Sequence, residues 1–324
     1  MLTQLSITGF RCFRQLDVEL KPLTVLIGAN DTGKSVFLDA IQILSPGECD
    51  KLNALDHFRG NLAQNIKTFG TLSDGQNLRL ESRTSEGGDR QVGLFTGELL
   101  VSDIQRFQLP GVGVETECEG FDAKESNGLK LETNGSRVAA LIDHLLRNDL
   151  TRYLNLLDEL RRLVPGFEDL KIETPSANSR RIDFVIEGGF RIPAHKTSAG
   201  VRLLLFFLAL VHHPSPPKII LLEEPETGIH PKRLGDVMNL LRGITQGKFG
   251  KAPAQVILTT HSPYLLDYVK PEEDQVLVFQ RADDGSRTAK PVDWSRLKEY
   301  FDGFMLGEIW FNEEESGLVA QEAS

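Results

Sequence analysis

Cysteine is scarce in this chain: Cys12, Cys49 and Cys118 are the only three in 324 residues. They are far apart and form no C-x-x-C pair, which excludes a disulfide framework and a zinc site and leaves buried, inert thiols. Long apolar runs are lacking too. The strongest, LLLFFLALV from Leu203 to Val211, has about half of the ~20 residues a membrane-spanning helix needs. No charged-then-apolar opening with a cleavage site is present, so the expectation is a cytoplasmic protein without a membrane partner. No heptad pattern persists, which excludes long coiled-coil arms. Internal repeats and low-complexity segments are also absent.

Positive charge is in deficit, with 36 Lys and Arg against 46 Asp and Glu. The formal net charge of -10 opposes a general polyanion-binding surface, because nucleic-acid affinity rests on cations that neutralise phosphates. The densest basic set is Arg147, Arg152, Arg161, Arg162, Arg180 and Arg181. Asp158 and Glu159 lie within helical reach of some of them, so ordinary surface pairing is favoured over a local patch. The remaining composition, 40% hydrophobic and 25% charged, is that of a globular protein able to bury a sizeable core.

What the chain does have is TVLIGANDTGKSVFLDAI, residues 24–41. An apolar strand runs into a glycine turn and then into an amphipathic helix, in the pattern G-x-x-x-x-G-K-[ST]. Such a loop wraps a phosphate with inward-pointing backbone N–H groups, and the helix N-terminus adds partial positive charge. Gly28 lets the chain leave the strand sharply, and Gly33 lets the backbone approach the phosphate oxygens without an intervening Cβ. Lys34 is placed to reach the β and γ phosphates of ATP, and Ser35 to offer its hydroxyl to Mg²⁺. The binding residues expected here are Gly28, Asn30, Asp31, Thr32, Gly33, Lys34, Ser35 and Val36.

Around this loop the chain alternates. Short strands fill LTQLSITGFRCFRQLDVELK. Residues 45–135, rich in Gly, Asp, Asn and Ser, read as a β-rich lobe with NLRLES and QVGLF as strands. Leucines at helical spacing over residues 136–164 form a helical pair broken at RNDL and ended by PGF. LKIET and RIDFVIEGGFRI read as strands, followed by a helix after Gly200, the strand KIILL, a helix after Pro231, and the strands QVILTT and QVLVFQ. This alternation implies an α/β fold with a mainly parallel sheet. The segment after Gly307 reads as loosely ordered.

Two strand ends carry further chemistry. KIILLEEPETGIHP brings Glu223 and Glu224 to the C-terminal end of a buried strand, where ligands bind in open α/β sheets. Glu223 suits Mg²⁺, directly or through water, and Glu224 suits the general base that activates water. VILTTHSP puts His261 at a second strand end, within range of a γ-phosphate. His57, His144, His195, His212, His213 and His230 have no such context and read as surface or packing residues.

Taken together, GFRCF, GANDTGKS, TSAGVR, IILLEEPETGIHP and TTHSP, in that order, resemble the head domain of ABC-type ATPases in the SMC, RecF and OLD branch. They correspond to its opening motif, Walker A, signature, Walker B with D-loop, and histidine switch. The resemblance implies an ABC-type head with a mainly parallel P-loop sheet, an N-terminal antiparallel β-rich lobe and a helical signature region. It implies one domain over 1–324, with lobes 1–135, 136–215 and 216–311 and a tail 312–324. It also implies that the signature of one subunit closes on the nucleotide of another, with Ser198 and Gly200 contacting the γ-phosphate. Read alone, Ser198 is a plain helix cap.

Three departures stand out. Glu223 replaces the usual Walker B aspartate, Asp31 replaces a frequent glycine, and the Q-loop glutamine is open among Gln64, Gln91 and Gln105. There is no long arm of the SMC type and no room for the nuclease domain of OLD proteins. The implied function is an ATPase that uses ATP and Mg²⁺, forms a homodimer on ATP binding, and gates a protein effector or a nucleic-acid process. Repair and anti-phage defence are the associated roles, with DNA or RNA left open as partners. The alternatives are a nucleotide-dependent scaffold with negligible turnover and, against the weight of Val201 and GFRCF, a transporter subunit.

Overall fold

The computed structural model describes residues 1–45, 48, 56, 66–84, 90–96, 104–109, 131–135, 137–175, 180–249, 252–298 and 304–319. Cys49, His57, Gln64 and Cys118 lie outside these residues. The chain opens with β1 (Leu2–Phe10), β2 (Phe13–Glu19), β3 (Leu23–Ile27) and α1 (Lys34–Gln42). It continues through β4 (Ile66–Leu72), β5 (Asn77–Thr84), β6 (Arg90–Thr96) and β7 (Ile104–Gln108). The helices α2 (Val138–Asn148) and α3 (Leu150–Leu163) precede β8 (Phe167–Glu173), β9 (Arg181–Ile186) and β10 (Phe190–Pro193). Then come α4 (Ala199–Val211), β11 (Ile219–Glu223), α5 (Pro231–Thr245), β12 (Gln255–Thr259) and α6 (Pro263–Leu266). The last elements are β13 (Gln275–Arg281), β14 (Arg287–Pro291), α7 (Trp294–Leu297) and α8 (Leu306–Leu318).

These elements form two compact units, Met1–Arg106 with Pro217–Glu223 and Pro253–Ser324, and Phe107–Pro216 with Glu224–Ala252. The first unit contains an antiparallel sheet of order β2-β1-β4-β5-β6. From Leu5 to Gly9, β1 buries alternate residues, as a strand with one face on a core does. A second sheet runs β14-β13-β3-β12-β11-β7, parallel from β13 through β11 and antiparallel at β14. All five residues of β3 are buried, as expected for an interior parallel strand covered on both faces. Each fully buried Leu, Ile or Val there contributes about 1.5–3 kcal/mol. Gln255 is wholly buried and joins the two sheets: its Oε1 accepts from the Leu2 N–H at 2.8 Å and its Nε2 donates to the Leu2 carbonyl at 2.7 Å.

In the second unit, Asp149 ends α2 and caps α3, accepting from the Arg152 N–H, which is where RNDL breaks the helical pair. The apolar run Leu203–Val211 is the buried length of α4, packed against α3 and α5. It is a core helix, and among the described residues no helix is long and apolar enough to cross a membrane. β8, β9 and β10 form a small antiparallel sheet.

Two features differ from the sequence reading. The segment after Gly307 is α8, with Leu306, Ile309, Leu318 and Val319 buried, and the Asp293 N–H donates to the Leu318 carbonyl at 2.9 Å. Asn312 and the following glutamates suggested a solvated tail and masked an apolar face that binds back onto α6. β14 went unread, although Asp284-Gly285 marks its hairpin turn, with Gly285 at φ 76°.

Candidate nucleotide-binding site

The glycine loop leaves β3 through Gly28, whose φ of 141° suits only glycine. A Cβ at Gly28 would lie 2.4 Å from the Phe279 carbonyl oxygen. At Gly33, which caps α1 at φ 99°, a Cβ would come within 3.0 Å of both Cys12 Sγ and Phe13 Cζ. The GFRCF segment and the Phe279 backbone therefore press against the loop so closely that only glycine fits at these two positions. Burial pushes the Cys12 thiol up to about 11, consistent with an inert group.

Lys34 is buried, and its Nζ donates to the carbonyls of Gly28 at 2.6 Å and Ala29 at 2.9 Å. The ammonium is thus held inside the curve of the loop. Thr32 closes the turn by donating its hydroxyl to the Ala29 carbonyl at 2.8 Å. Asn30, Asp31 and Ser35 are exposed, and Val36 is half-buried at the start of α1.

The Ser35 hydroxyl donates to Glu223 Oε2 at 3.1 Å, so residues from the ends of β3 and β11 meet. A hydroxyl beside one carboxylate is a donor set that Mg²⁺ accepts, leaving its other positions to phosphate oxygens and water. His261 is exposed immediately beyond β12, after Thr260, whose N–H still donates to the Leu26 carbonyl at 3.1 Å. Gly28 to Val36, Glu223 and His261 thus share the first unit, at the C-terminal ends of the adjacent strands β3, β11 and β12.

Glu224, Ser198 and Gly200 belong to the second unit. Glu224 has φ 43°, an uncommon conformation for a residue with a side chain. The turn it opens is closed by the Thr227 N–H donating to the Glu224 carbonyl at 3.0 Å. Ser198 is exposed and caps α4, accepting from the Val201 N–H at 3.3 Å. Gly200 abuts the TGIHP turn, where a Cβ would lie 2.9 Å from the Gly228 carbonyl oxygen.

The arginines around the glycine loop escaped the sequence reading. Arg106, on β7, donates from Nε to Glu223 Oε1 at 2.8 Å and also pairs with Asp39. Arg11 pairs with the other Asp39 oxygen and donates from Nε to Asp56 at 2.8 Å. Glu223 is therefore held at Oε1 and presents Oε2 to Ser35. Asp31 is met from β14: Arg287 donates to its carbonyl at 2.7 Å and to its carboxylate at 2.9 Å. The negative charge that Asp31 brings near the loop is answered by a side chain only 10% exposed. Asp39, one helical turn after Ser35, was the available signal on this face. Gln105 lies buried on β7, and Gln91 falls on β6.

Residues 121–267 match the family described as "AAA domain, putative AbiEii toxin, Type IV TA system", and residues 1–84 match the AAA ATPase domain family. No curated protein matches the chain. Among solved structures, an SMC head bound to the C-terminal winged-helix domain of ScpA aligns at TM-score 0.63 and 14% identity, covering 91% of this chain and 98% of that one. The SMC head from Thermotoga maritima aligns at 0.53 and 15%, covering 90% and 99%. The Pyrococcus furiosus SMC head with an extended coiled coil, bound to the C-terminal domain of ScpA, aligns at 0.58 and 14%, covering 93% and 98%. Glycine loop, sheet order and these matches agree on a P-loop nucleotide-binding fold: residues 1–84 and 121–267 are similar to AAA ATPase domain families, and the chain has the fold of SMC head domains.

Proposed function

We propose that the chain hydrolyses ATP in sites shared by two copies, and that the resulting cycle of association and separation gates a protein effector. The observation that carries this reading is the Ser35–Glu223 contact at the mouth of a glycine loop that already encloses a lysine ammonium. In this reading Gly28, Asn30, Asp31, Thr32, Gly33 and Val36 wrap the phosphates with backbone donors, and Lys34 holds the β and γ groups. Ser35 and Glu223 hold Mg²⁺, which supplies positive charge against the charge on the transferring phosphoryl group. Glu224 orients the attacking water and takes its proton, His261 contacts the γ-phosphate, and Ser198 with Gly200 from the second copy completes the site.

A protein effector is favoured over nucleic acid because each of the six arginines of the densest basic set already faces a carboxylate. Arg147 and Arg180 share Asp143, and Arg152, Arg161, Arg162 and Arg181 pair with Asp149, Asp158, Asp236 and Asp183. The ScpA-bound SMC heads and the toxin–antitoxin description of the matched family support an effector-coupled role of the defence type. The test is Glu224→Gln, which keeps the side chain's size and removes the base. ATP should bind without phosphate release, and the mass by light scattering should double with Mg-ATP. An unchanged mass would remove nucleotide-gated association, and normal phosphate release would remove Glu224 as the base.

A further inference from the structure

The second unit contains a cavity of about 620 Å³ that the ATPase reading does not use. One wall is a stripe of α3 bearing Arg152, Asn155 and Glu159 at helical spacing. His212, just past α4, and Phe249, past α5, form the opposite side. His212 is 4% exposed, and burial lowers its pKa to about 4, so its ring is neutral near pH 7. Among the described residues, His212 Nε2, Arg152 Nη1 and Glu159 Oε2 are buried without a hydrogen-bond partner. The other Glu159 oxygen lies 3.9 Å from His212 Nε2, beyond hydrogen-bond range. Folded proteins satisfy most buried polar atoms, so three orphans around one cavity mark a surface arranged for something else.

The charges narrow the ligand. An anion would meet Asp149, Asp158 and Glu159 against only Arg152 and Lys248, and Arg152 is already engaged by Asp149 at 2.8 Å. A metal ion finds no group of three His, Cys, Asp or Glu among the described residues able to hold it. An apolar molecule would satisfy none of the orphans. What fits is a neutral polar molecule with N–H donors and ring or carbonyl acceptors on adjacent edges. Phe249, with its ring centroid 5.9 Å from that of His212, offers a planar partner an aromatic neighbour. The volume is that of a small-molecule site.

We propose that this cavity is a nucleoside site, with guanine the base it fits best. The Glu159 carboxylate accepts from the two N–H groups of the guanine Watson–Crick edge, and the Arg152 guanidinium donates to O6 or N7. Side-chain exposures of 18% for Arg152 and 26% for Glu159 put both at the open part of the cavity, where a turn of the side chain brings the orphan atoms to the base. Lys248, exposed at the rim, leaves the sugar end open to solvent.

Calorimetric titration of the full chain with guanosine, inosine and uridine tests this, since nucleosides lack the phosphates that a glycine loop binds. Guanosine should saturate a single site. Inosine, which lacks one N–H donor to the carboxylate, should bind about tenfold more weakly, and uridine more weakly still. Glu159→Gln, with its fold checked by circular dichroism, should weaken guanosine about tenfold while leaving ATP binding unchanged. Lys34→Ala should bind guanosine as the parent does. Failure of guanosine to saturate overturns the proposal, as does full affinity in Glu159→Gln. Loss of guanosine binding in Lys34→Ala would assign the binding to the glycine loop and overturn it equally.

Discussion

The glycine loop and the cavity beside α3 handle charge in opposite ways. Around the loop each key ionic group is engaged: Lys34 by two carbonyls, Glu223 by Arg106 and Ser35, Asp39 by Arg11 and Arg106, and Asp31 by Arg287. Beside α3, Arg152, Glu159 and His212 each keep a buried atom unpaired. A site whose groups are mutually held is preorganised and loses little on meeting a ligand. A site with unpaired groups is unstable alone and gains from whatever satisfies them.

The sharpest way to break this contrast is Lys34→Ala. Removing the ammonium should weaken ATP at least about a hundredfold, because two or more charge-assisted hydrogen bonds are lost. Circular dichroism should be unchanged, since the loop's conformation rests on Gly28 and Gly33. Undiminished affinity by calorimetry would remove Lys34 from the site.

Arg106→Met probes the held side. It leaves Glu223 and Asp39 short of a buried partner, so urea denaturation should show a loss of about 3 kcal/mol, less than the full cost because Arg11 still pairs with Asp39. Arg106→Lys should recover part of that loss, and equal stability of all three proteins would mean that the grip on Glu223 is immaterial.

The unpaired side has its own signature in pH. The His212 pKa is held near 4 in the folded chain against 6.5 ordinarily, so the unfolded state binds the proton more readily between those values. The residue's contribution is intact above about pH 6.5 and is lost as pH falls toward 4, by about 2–3 kcal/mol. A His212→Gln variant should lack that part of the slope. Parallel stability curves for the two proteins from pH 7 to 4.5 would contradict the burial argument.

The smallest effect is expected of Arg287→Ala. Freeing the Asp31 carboxylate beside the phosphates should lower ATP affinity about fivefold, or roughly 1 kcal/mol. Adding Asp31→Asn should restore it. An unchanged affinity in the single variant would show that the charge of Asp31 is already screened by solvent.

The same contrast explains what could be read from the amino-acid order. Gly28, Gly33, Lys34 and Ser35 are contiguous, and their spacing is itself the chemistry. The strands KIILL and QVILTT announced themselves by apolar composition, and β11 and β12 carry them in parallel register. Arg287 and Asp31 are 256 positions apart, and Arg106 and Glu223 are 117 apart. Nothing local distinguishes such an arginine from a solvated one, because the pairing depends on which strands become neighbours. The six arginines of the helical region were legible for the converse reason: most have their acids within a few positions. His212 was read as a surface or packing residue. It is buried, and its orphan nitrogen has no sequence signal.

The pair of hydrogen bonds between Gln255 and Leu2 ties the start of β1 in one sheet to the start of β12 in the other. Since the Leu2 N–H is held by a side chain rooted in β12, its exchange with solvent requires the Gln255 amide to let go. Protection of the Leu2 N–H against exchange is therefore expected to report on the contact between the two sheets as well as on β1 itself.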